Sequence, residues 1–221
     1  MRLLDTKIIS VANQKGGCGK TTITMQLSGT LSRDKYKVLV VDADPQGTAT
    51  RWAANADDAT PFMAHIAGLS AAGIKVHKEI KKYVGSYDFI IIDCPPSVNS
   101  VTPYSALMVS DIVLIPMIPS PADLWAAVGI QELIEQVKDI NEGLKAIIIP
   151  NMCQQNLSLT QDVLEILNNF GIEVSNTHLC LRTAYRQSAV LGQTVYDIKG
   201  ADKAISEIEK LKIEILNILT I

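Results

Sequence analysis

The residues best suited to chemistry form one cluster near the N-terminus, in the segment 14–22, which reads Gln-Lys-Gly-Gly-Cys-Gly-Lys-Thr-Thr. Its glycines let the backbone curl so that successive N–H groups point toward phosphate oxygens. Lys20 can reach the β- and γ-phosphates of a nucleotide as a point charge, and the Thr21 hydroxyl can coordinate magnesium. This spacing predicts a P-loop that binds ATP and Mg2+. The predicted nucleotide contacts in the loop are Gly16, Gly17, Cys18, Gly19, Lys20, Thr21 and Thr22.

The flanking sequence predicts the elements that position this loop. The β-branched run Ile8–Ala12 indicates a buried strand before it, and Ile23, Leu27 and Leu31 follow it at helical spacing. The N-terminus of such a helix adds its dipole to the phosphate site. Gln14 stands where the general P-loop pattern has glycine. A surface loop is the alternative, and the strand before and helix after favour the P-loop.

Lys15 indicates a particular variant of the P-loop. The string 15–22 resembles the deviant Walker A motif of the ParA/MinD family, in which a second lysine precedes the glycines and Gln often occupies the first position. The resemblance implies that Lys15 reaches across a sandwich dimer to the ATP of the partner. A second ammonium near the γ-phosphate would neutralise charge during transfer and make dimerisation depend on ATP. A solvated loop lysine is the alternative.

Acidic residues follow two further apolar runs. The segments 41–47 and 90–97 read Val-Asp-Ala-Asp-Pro-Gln-Gly and Ile-Ile-Ile-Asp-Cys-Pro-Pro-Ser, and they resemble the switch I and Walker B regions of the same family. The resemblance implies that Asp44 orients or deprotonates the attacking water and that Asp93 holds magnesium, through water. Asp42 would support the magnesium shell or its loop, or cap a helix. The resulting catalytic set is Lys15, Lys20 and Asp44, and the metal set is Thr21, Asp44 and Asp93.

Later segments resemble the family less specifically. Asn151 matches the position where relatives recognise adenine through an amide, although an asparagine in a turn after a proline is the alternative. Arg182 and Arg186 lie one helical turn apart and match arginines that contact the DNA backbone, unless they are salt-bridged or solvated. The segment 119–125 is expected at a dimer interface or in internal packing.

Short apolar runs alternate with helical periodicities along the whole chain. The predicted strands are Ile8–Ala12, Val38–Val41, Phe89–Ile92, Ile112–Ile115, Ala146–Ile149 and, more weakly, His178–Leu181. Helices are predicted around 130–137 and 159–170, the second with a capping box at Ser158 and Gln161 and a stop at Gly171. Variable helices are expected in 53–87. This alternation predicts a single α/β domain over 1–221, a doubly wound, mostly parallel sheet with helices on both faces, of P-loop NTPase type.

Composition limits the function classes. The chain has 221 residues, 48% of them hydrophobic, and a formal net charge of -3, so it lacks a global basic field for nucleic acid. Asp5 interrupts any N-terminal apolar run, which predicts a soluble, cytoplasmic protein. The four cysteines form no Cys-x-x-Cys pair, which argues against a disulfide framework or a zinc site.

The resemblance implies a ParA-type positioning ATPase. Such a protein forms an ATP-dependent homodimer, binds nonspecific DNA on the nucleoid, and is released when a cargo-adaptor protein stimulates slow hydrolysis. The cargo would be a plasmid, a chromosome region or a protein assembly. A MinD-like membrane ATPase is the main alternative, but the C-terminal segment 205–221 balances basic with acidic residues, which favours a helix packed on the sheet. An iron–sulfur assembly ATPase and a metabolic ligase or synthetase are further alternatives.

Overall fold

A parallel sheet organises the residues that the computed structural model describes, which are 5–97, 101–154 and 171–221. Its seven strands lie in the order β3-β2-β4-β1-β5-β6-β7, and each neighbouring pair is parallel. The strands are β1 Lys7–Val11, β2 Val38–Asp42, β3 His65–Gly68, β4 Phe89–Asp93, β5 Ile112–Met117, β6 Lys145–Pro150 and β7 Glu173–Val174. The predicted parallel α/β sheet is confirmed.

Helices cover both faces of this sheet. They are α1 Lys20–Arg33, α2 Thr48–Ala54, α3 Val76–Lys81, α4 Val101–Leu107, α5 Pro121–Lys138, α6 Thr183–Val190 and α7 Asp202–Ile218, with 3-10 turns at Ser70–Lys75 and Val195–Asp197. Alternate strand residues enter two separate cores. Ile9 packs with α1 and α7, whereas Ile8 packs with α3 and α5. The central strands are buried on both faces because they are continuous apolar runs.

Two strands differ from the predictions. The run His178–Leu181 forms no strand, only an isolated bridge between Cys153 and Cys180, and the last strand is Glu173–Val174. His65–Gly68 was missed because it is an edge strand whose side chains are exposed or half-buried, so no apolar run marks it. It lies in the segment 53–87, where only the helical elements were expected.

The helix predictions have three outcomes. The stripe at 130–137 is buried within α5, as its spacing predicts. The helix predicted over 159–170, with its capping residues Ser158 and Gln161, lies outside the described residues. Helix α7 buries Ile208, Leu211 and Ile215 in the core that contains α1, so the prediction of a packed final helix is confirmed. Among the described helices, none is long and apolar enough to cross a membrane.

Candidate nucleotide-binding site

The predicted P-loop connects β1 to α1 with a strongly curved backbone. Gly17 and Gly19 have φ angles of 74° and 93°, in the left-handed region that favours glycine. A Cβ on Gly16 or Gly17 would meet no atom within 4 Å, whereas one on Gly19 would lie 2.2 Å from the side-chain nitrogen of Asn151. The first two glycines therefore face open space that phosphates can occupy, and the third permits close packing beneath the loop.

The N-terminus of α1 is arranged to receive an anion. No side chain caps it among the described residues, and its first turn contains no acidic residue. Its N–H groups and dipole are therefore available to a phosphate. Thr22 lies in this first turn, directly after Lys20 and Thr21.

Lys20 is held under the loop by the protein backbone. Its side chain is buried, and Nζ donates a hydrogen bond of 2.9 Å to the carbonyl oxygen of Lys15. The Cys18 thiol donates to the same carbonyl at 3.3 Å, and burial raises the pKa of that thiol. A phosphate oxygen is a charged acceptor and makes a stronger hydrogen bond than a carbonyl. Lys20 is thus placed to exchange its backbone partner for a phosphate.

Asp93 and Thr21 form the candidate magnesium site. Thr21 Oγ1 donates to Asp93 Oδ2 at 2.7 Å, and Asp93 is 1% exposed at the end of β4. Burial, helped by the nearby charges of Asp42 and Asp44, raises the pKa of Asp93 to about 7, despite the opposing Thr21 hydrogen bond. A cation bound to this carboxylate would favour its charged form and so oppose the rise in pKa.

These oxygen donors fit Mg2+, which typically binds one or two carboxylates together with substrate phosphates. Within the described ranges, no group of three or more His, Cys, Asp or Glu side chains forms a metal cluster.

Asp42 and Asp44 shape the neighbouring loop. Asp42 pairs in register with Asp93, and its Oδ2 accepts from the N–H and the hydroxyl of Thr50, each at 2.8 Å. Asp42 therefore holds the loop and α2, one of the roles expected from the sequence. Asp44 is half-buried, and its Oδ1 accepts from the N–H of Gln46 at 2.9 Å. Its charge lies close enough to Asp93 to affect the pKa there.

Lys15 makes an ion pair within its own chain. Its Nζ lies 2.7 Å from Oδ2 of Asp123, which is in the first turn of α5. Ser120 caps that helix, and its hydroxyl also donates to Asp123. Sequence reasoning missed Asp123 and assigned its segment to packing or an interface. The Ser-x-x-acid spacing, close to that of a capping box, was the available signal for the helix start, but not for the contact with Lys15.

The residues before the glycines anchor the loop on the α5 side. Asn13 Nδ2 donates to the carbonyl of Pro116 in β5 at 2.7 Å. A Cβ on Gly129 of α5 would lie 2.7 Å from Oε1 of Gln14, so the absence of a side chain at Gly129 makes room for Gln14. The glutamine that replaces the usual glycine therefore packs between the loop and α5.

Asn151 braces the loop from the opposite side. It is 6% exposed, and its Nδ2 donates to the carbonyl of Cys18 at 2.7 Å. The amide thus contacts the P-loop backbone, and recognition of adenine by Asn151 stays a prediction. A cavity of about 140 Å3 lies beside this contact, and Thr22, Met152 and Tyr185 contribute to its lining.

The two arginines expected to contact DNA have different environments. Arg182 Nε and Nη2 donate to Oε1 of Glu207 at 2.9 and 2.5 Å, and Tyr185 donates to the other carboxylate oxygen at 3.0 Å. Arg182 is therefore salt-bridged, one of the alternatives for it. Arg186 is exposed on α6 and, with Lys199, borders a surface cavity of about 480 Å3.

The fold and loop define a P-loop nucleotide-binding protein, and comparisons identify the family. Residues 9–195 match the CobQ/CobB/MinD/ParA nucleotide binding domain. The chain is 32% identical over 213 residues to "Maintenance of carboxysome distribution protein A" of Halothiobacillus neapolitanus, covering 94% of this chain and 95% of that protein. It is 29% identical over 204 residues to the "Sporulation initiation inhibitor protein Soj" of Bacillus subtilis, covering 76% and 77%. The chain belongs to the CobQ/CobB/MinD/ParA family.

A solved structure supports the same fold. The ATP complex of a Cyanothece McdA variant superimposes with a TM-score of 0.81 over 95% of this chain and 96% of that one. Sequence identity is 18%, so this likeness concerns the fold.

Proposed function

We propose that this chain is an ATP-hydrolysing positioning protein of the ParA type. It binds ATP with Mg2+, forms a sandwich dimer, and binds DNA without sequence preference until a partner protein stimulates hydrolysis. The presence of two lysines, Lys15 and Lys20, in one P-loop is the observation that carries the proposal. The overall likeness to the Halothiobacillus protein supports it.

Each part of the site has an assigned role in this cycle. Lys20 binds the β- and γ-phosphates, Thr21 and Asp93 hold the metal, and Asp44 contributes to the metal shell and orients the attacking water. Bound Mg2+ supplies positive charge that stabilises the transferring phosphoryl group. Lys15 contacts the nucleotide of the partner. Basal turnover is slow because Asp44 and both lysines require alignment by the dimer and its activator.

The cargo in this proposal is a protein assembly. The Halothiobacillus relative, whose name concerns carboxysome distribution, covers nearly the whole chain, which favours this class over a plasmid or a chromosome region. The activating partner is then an adaptor carried by that assembly. The proposal places the protein in the cytoplasm, on the nucleoid, as a single domain over 1–221.

The DNA-contacting surface is proposed around α6. Arg186 is exposed and shares a surface cavity with Lys199, so both can bind phosphates without reading bases. Arg182 joins this surface only if its ion pair with Glu207 opens. A membrane surface is a poorer match, because α7 uses its apolar face in the core.

Co-sedimentation tests the proposal directly. The protein is mixed with plasmid DNA or with anionic liposomes, each with Mg-ATP or Mg-ADP. We expect ATP-dependent sedimentation with DNA and none with liposomes. Binding to liposomes alone would instead support the membrane-associated alternative and contradict the proposed function.

A further inference from the structure

The ion pair of Lys15 joins an accessible lysine to a buried carboxylate. The Lys15 side chain is 37% exposed, whereas that of Asp123 is 1% exposed, and Nζ and Oδ2 are 2.7 Å apart. Removing the ammonium would leave the charge of Asp123 buried without this counter-ion, which is costly in a protein interior. Lys15 is therefore restrained by its own chain, although solvent can reach it.

The surroundings of Asp123 strengthen this restraint. Both the Lys15 ammonium and the Ser120 hydroxyl donate to Oδ2. The other oxygen, Oδ1, is buried and has no hydrogen-bond partner in the described part of the chain. Buried carboxylate oxygens are usually hydrogen-bonded, so Asp123 has little to compensate the loss of Lys15.

Two hydrogen bonds connect Lys20 to Asp123 by way of Lys15. Lys20 Nζ donates to the Lys15 carbonyl at 2.9 Å, and Lys15 Nζ donates to Asp123 at 2.7 Å. A phosphate in the loop would withdraw Lys20 from that carbonyl, because the charged acceptor is stronger. The Lys15 carbonyl would then lose its charged donor and keep the weaker donor, the Cys18 thiol.

We propose that Asp123 is a positioning residue that holds Lys15 against its own chain until a nucleotide withdraws Lys20 from the Lys15 carbonyl. Lys15 then becomes available to the nucleotide of a second copy. This inference rests on the proposed function, because it assumes that Lys15 acts across a dimer. Asp123 thereby sets the ATP concentration at which the protein dimerises.

Substitution Asp123→Asn tests this restraint, since asparagine keeps the shape and an acceptor for Ser120 but removes the charge. The dimer fraction is measured by sedimentation velocity across an ATP titration, and also with ADP. We expect half-maximal dimerisation at about fivefold less ATP, the effect of one charge pair, and a detectable dimer with ADP. Asp123→Ser, which replaces the carboxylate by a neutral hydroxyl, should act in the same direction.

The matched control is Asp111→Asn. Asp111 is likewise an aspartate whose carboxylate accepts a hydrogen bond, from the N–H of Ile8 at 2.7 Å, but it lies at the opposite end of β5, away from Lys15. This variant should dimerise as the wild type does. In a Lys15→Ala background, Asp123→Asn should have no further effect, because the restrained group is absent.

The outcomes separate the two proposals. Suppose that the wild type dimerises through Lys15 but the folded Asp123 variants need as much ATP as the wild type, or more, to dimerise. The proposed restraint by Asp123 is then wrong, and the proposed function stands. If Lys15→Ala dimerises like the wild type, both proposals are wrong.

Discussion

Charged side chains near α7 and charged side chains at the P-loop have different surroundings. Near α7, charges are compensated inside the protein: Lys212 lies 2.6 Å from Asp34 and 2.6 Å from Glu209. Burial raises the pKa of Glu214, but hydrogen bonds from Ser175 and Thr177 outweigh it, so the net shift is downward. At the P-loop, burial is not compensated in this way: it raises the pKa of Asp93 to about 7, despite the hydrogen bond from Thr21.

This contrast distinguishes the region around α7, which we call the scaffold, from the binding site at the P-loop. The compensated charges near α7 stabilise the folded chain, whereas the carboxylate at the P-loop lowers its stability until a cation arrives. A buried carboxyl group whose pKa is shifted by burial and by neighbouring charges is typical of functional sites. The difference is testable, because variants in the two regions should alter different properties.

The largest expected effect is on hydrolysis. Asp44→Ala should lower ATP turnover by about a hundredfold or more, because the group that orients the attacking water is lost. ATP binding should persist, and an ATP-bound dimer should accumulate. Phosphate release and sedimentation velocity measure the two properties. Turnover near the wild-type level would show that Asp44 has another role.

The next effect is on stability, in the other region. Arg182→Ala should lower the free energy of unfolding by about 2 kcal/mol, because Glu207 would keep its partly buried charge without its counter-ion. Denaturant unfolding measures the change. Unchanged stability would mean that this ion pair is not part of the scaffold.

Arg186→Ala is the matched control for that experiment. Arg186 is on the same helix and is exposed, so its loss should change stability by less than about 0.5 kcal/mol. It should instead weaken ATP-dependent DNA binding. The reverse pattern, with Arg186 stabilising the fold, would contradict the contrast between these arginines.

A smaller effect, of opposite sign, is expected at Asp93. Its pKa is raised from 3.8 to about 7 in the folded chain, so folding favours the protonated form. The stability of the nucleotide-free protein should therefore fall as pH rises from about 4 to about 7. Asp93→Asn should raise the free energy of unfolding by about 1 to 2 kcal/mol at pH 8 and have little effect at pH 4.

Denaturant unfolding at both pH values checks this prediction, with exposed Asp58→Asn as the control. The Asp93 variant should also lose Mg-dependent ATP binding, because the metal's carboxylate is absent. Equal stabilisation at both pH values would contradict the role of its charge.

Local patterns predicted the centre of the site. The order of strand, glycine loop and helix is contiguous in sequence, and Asp42 and Asp93 follow apolar runs whose carboxyl ends meet in a parallel sheet. Contacts between distant segments were beyond such reasoning. Asp123 lies 108 positions from Lys15, and Asn151 lies 133 positions from Cys18. The edge strand at His65–Gly68 lacks the buried pattern that marks strands.

The central claim is that the P-loop couples nucleotide binding to dimerisation through Lys15. Sedimentation velocity of Lys15→Ala with Mg-ATP, beside a measurement of ATP affinity, tests it most directly. The account predicts that this variant binds ATP but remains monomeric, while the wild type dimerises with ATP and not with ADP. An ATP-dependent dimer of Lys15→Ala equal to that of the wild type would contradict it.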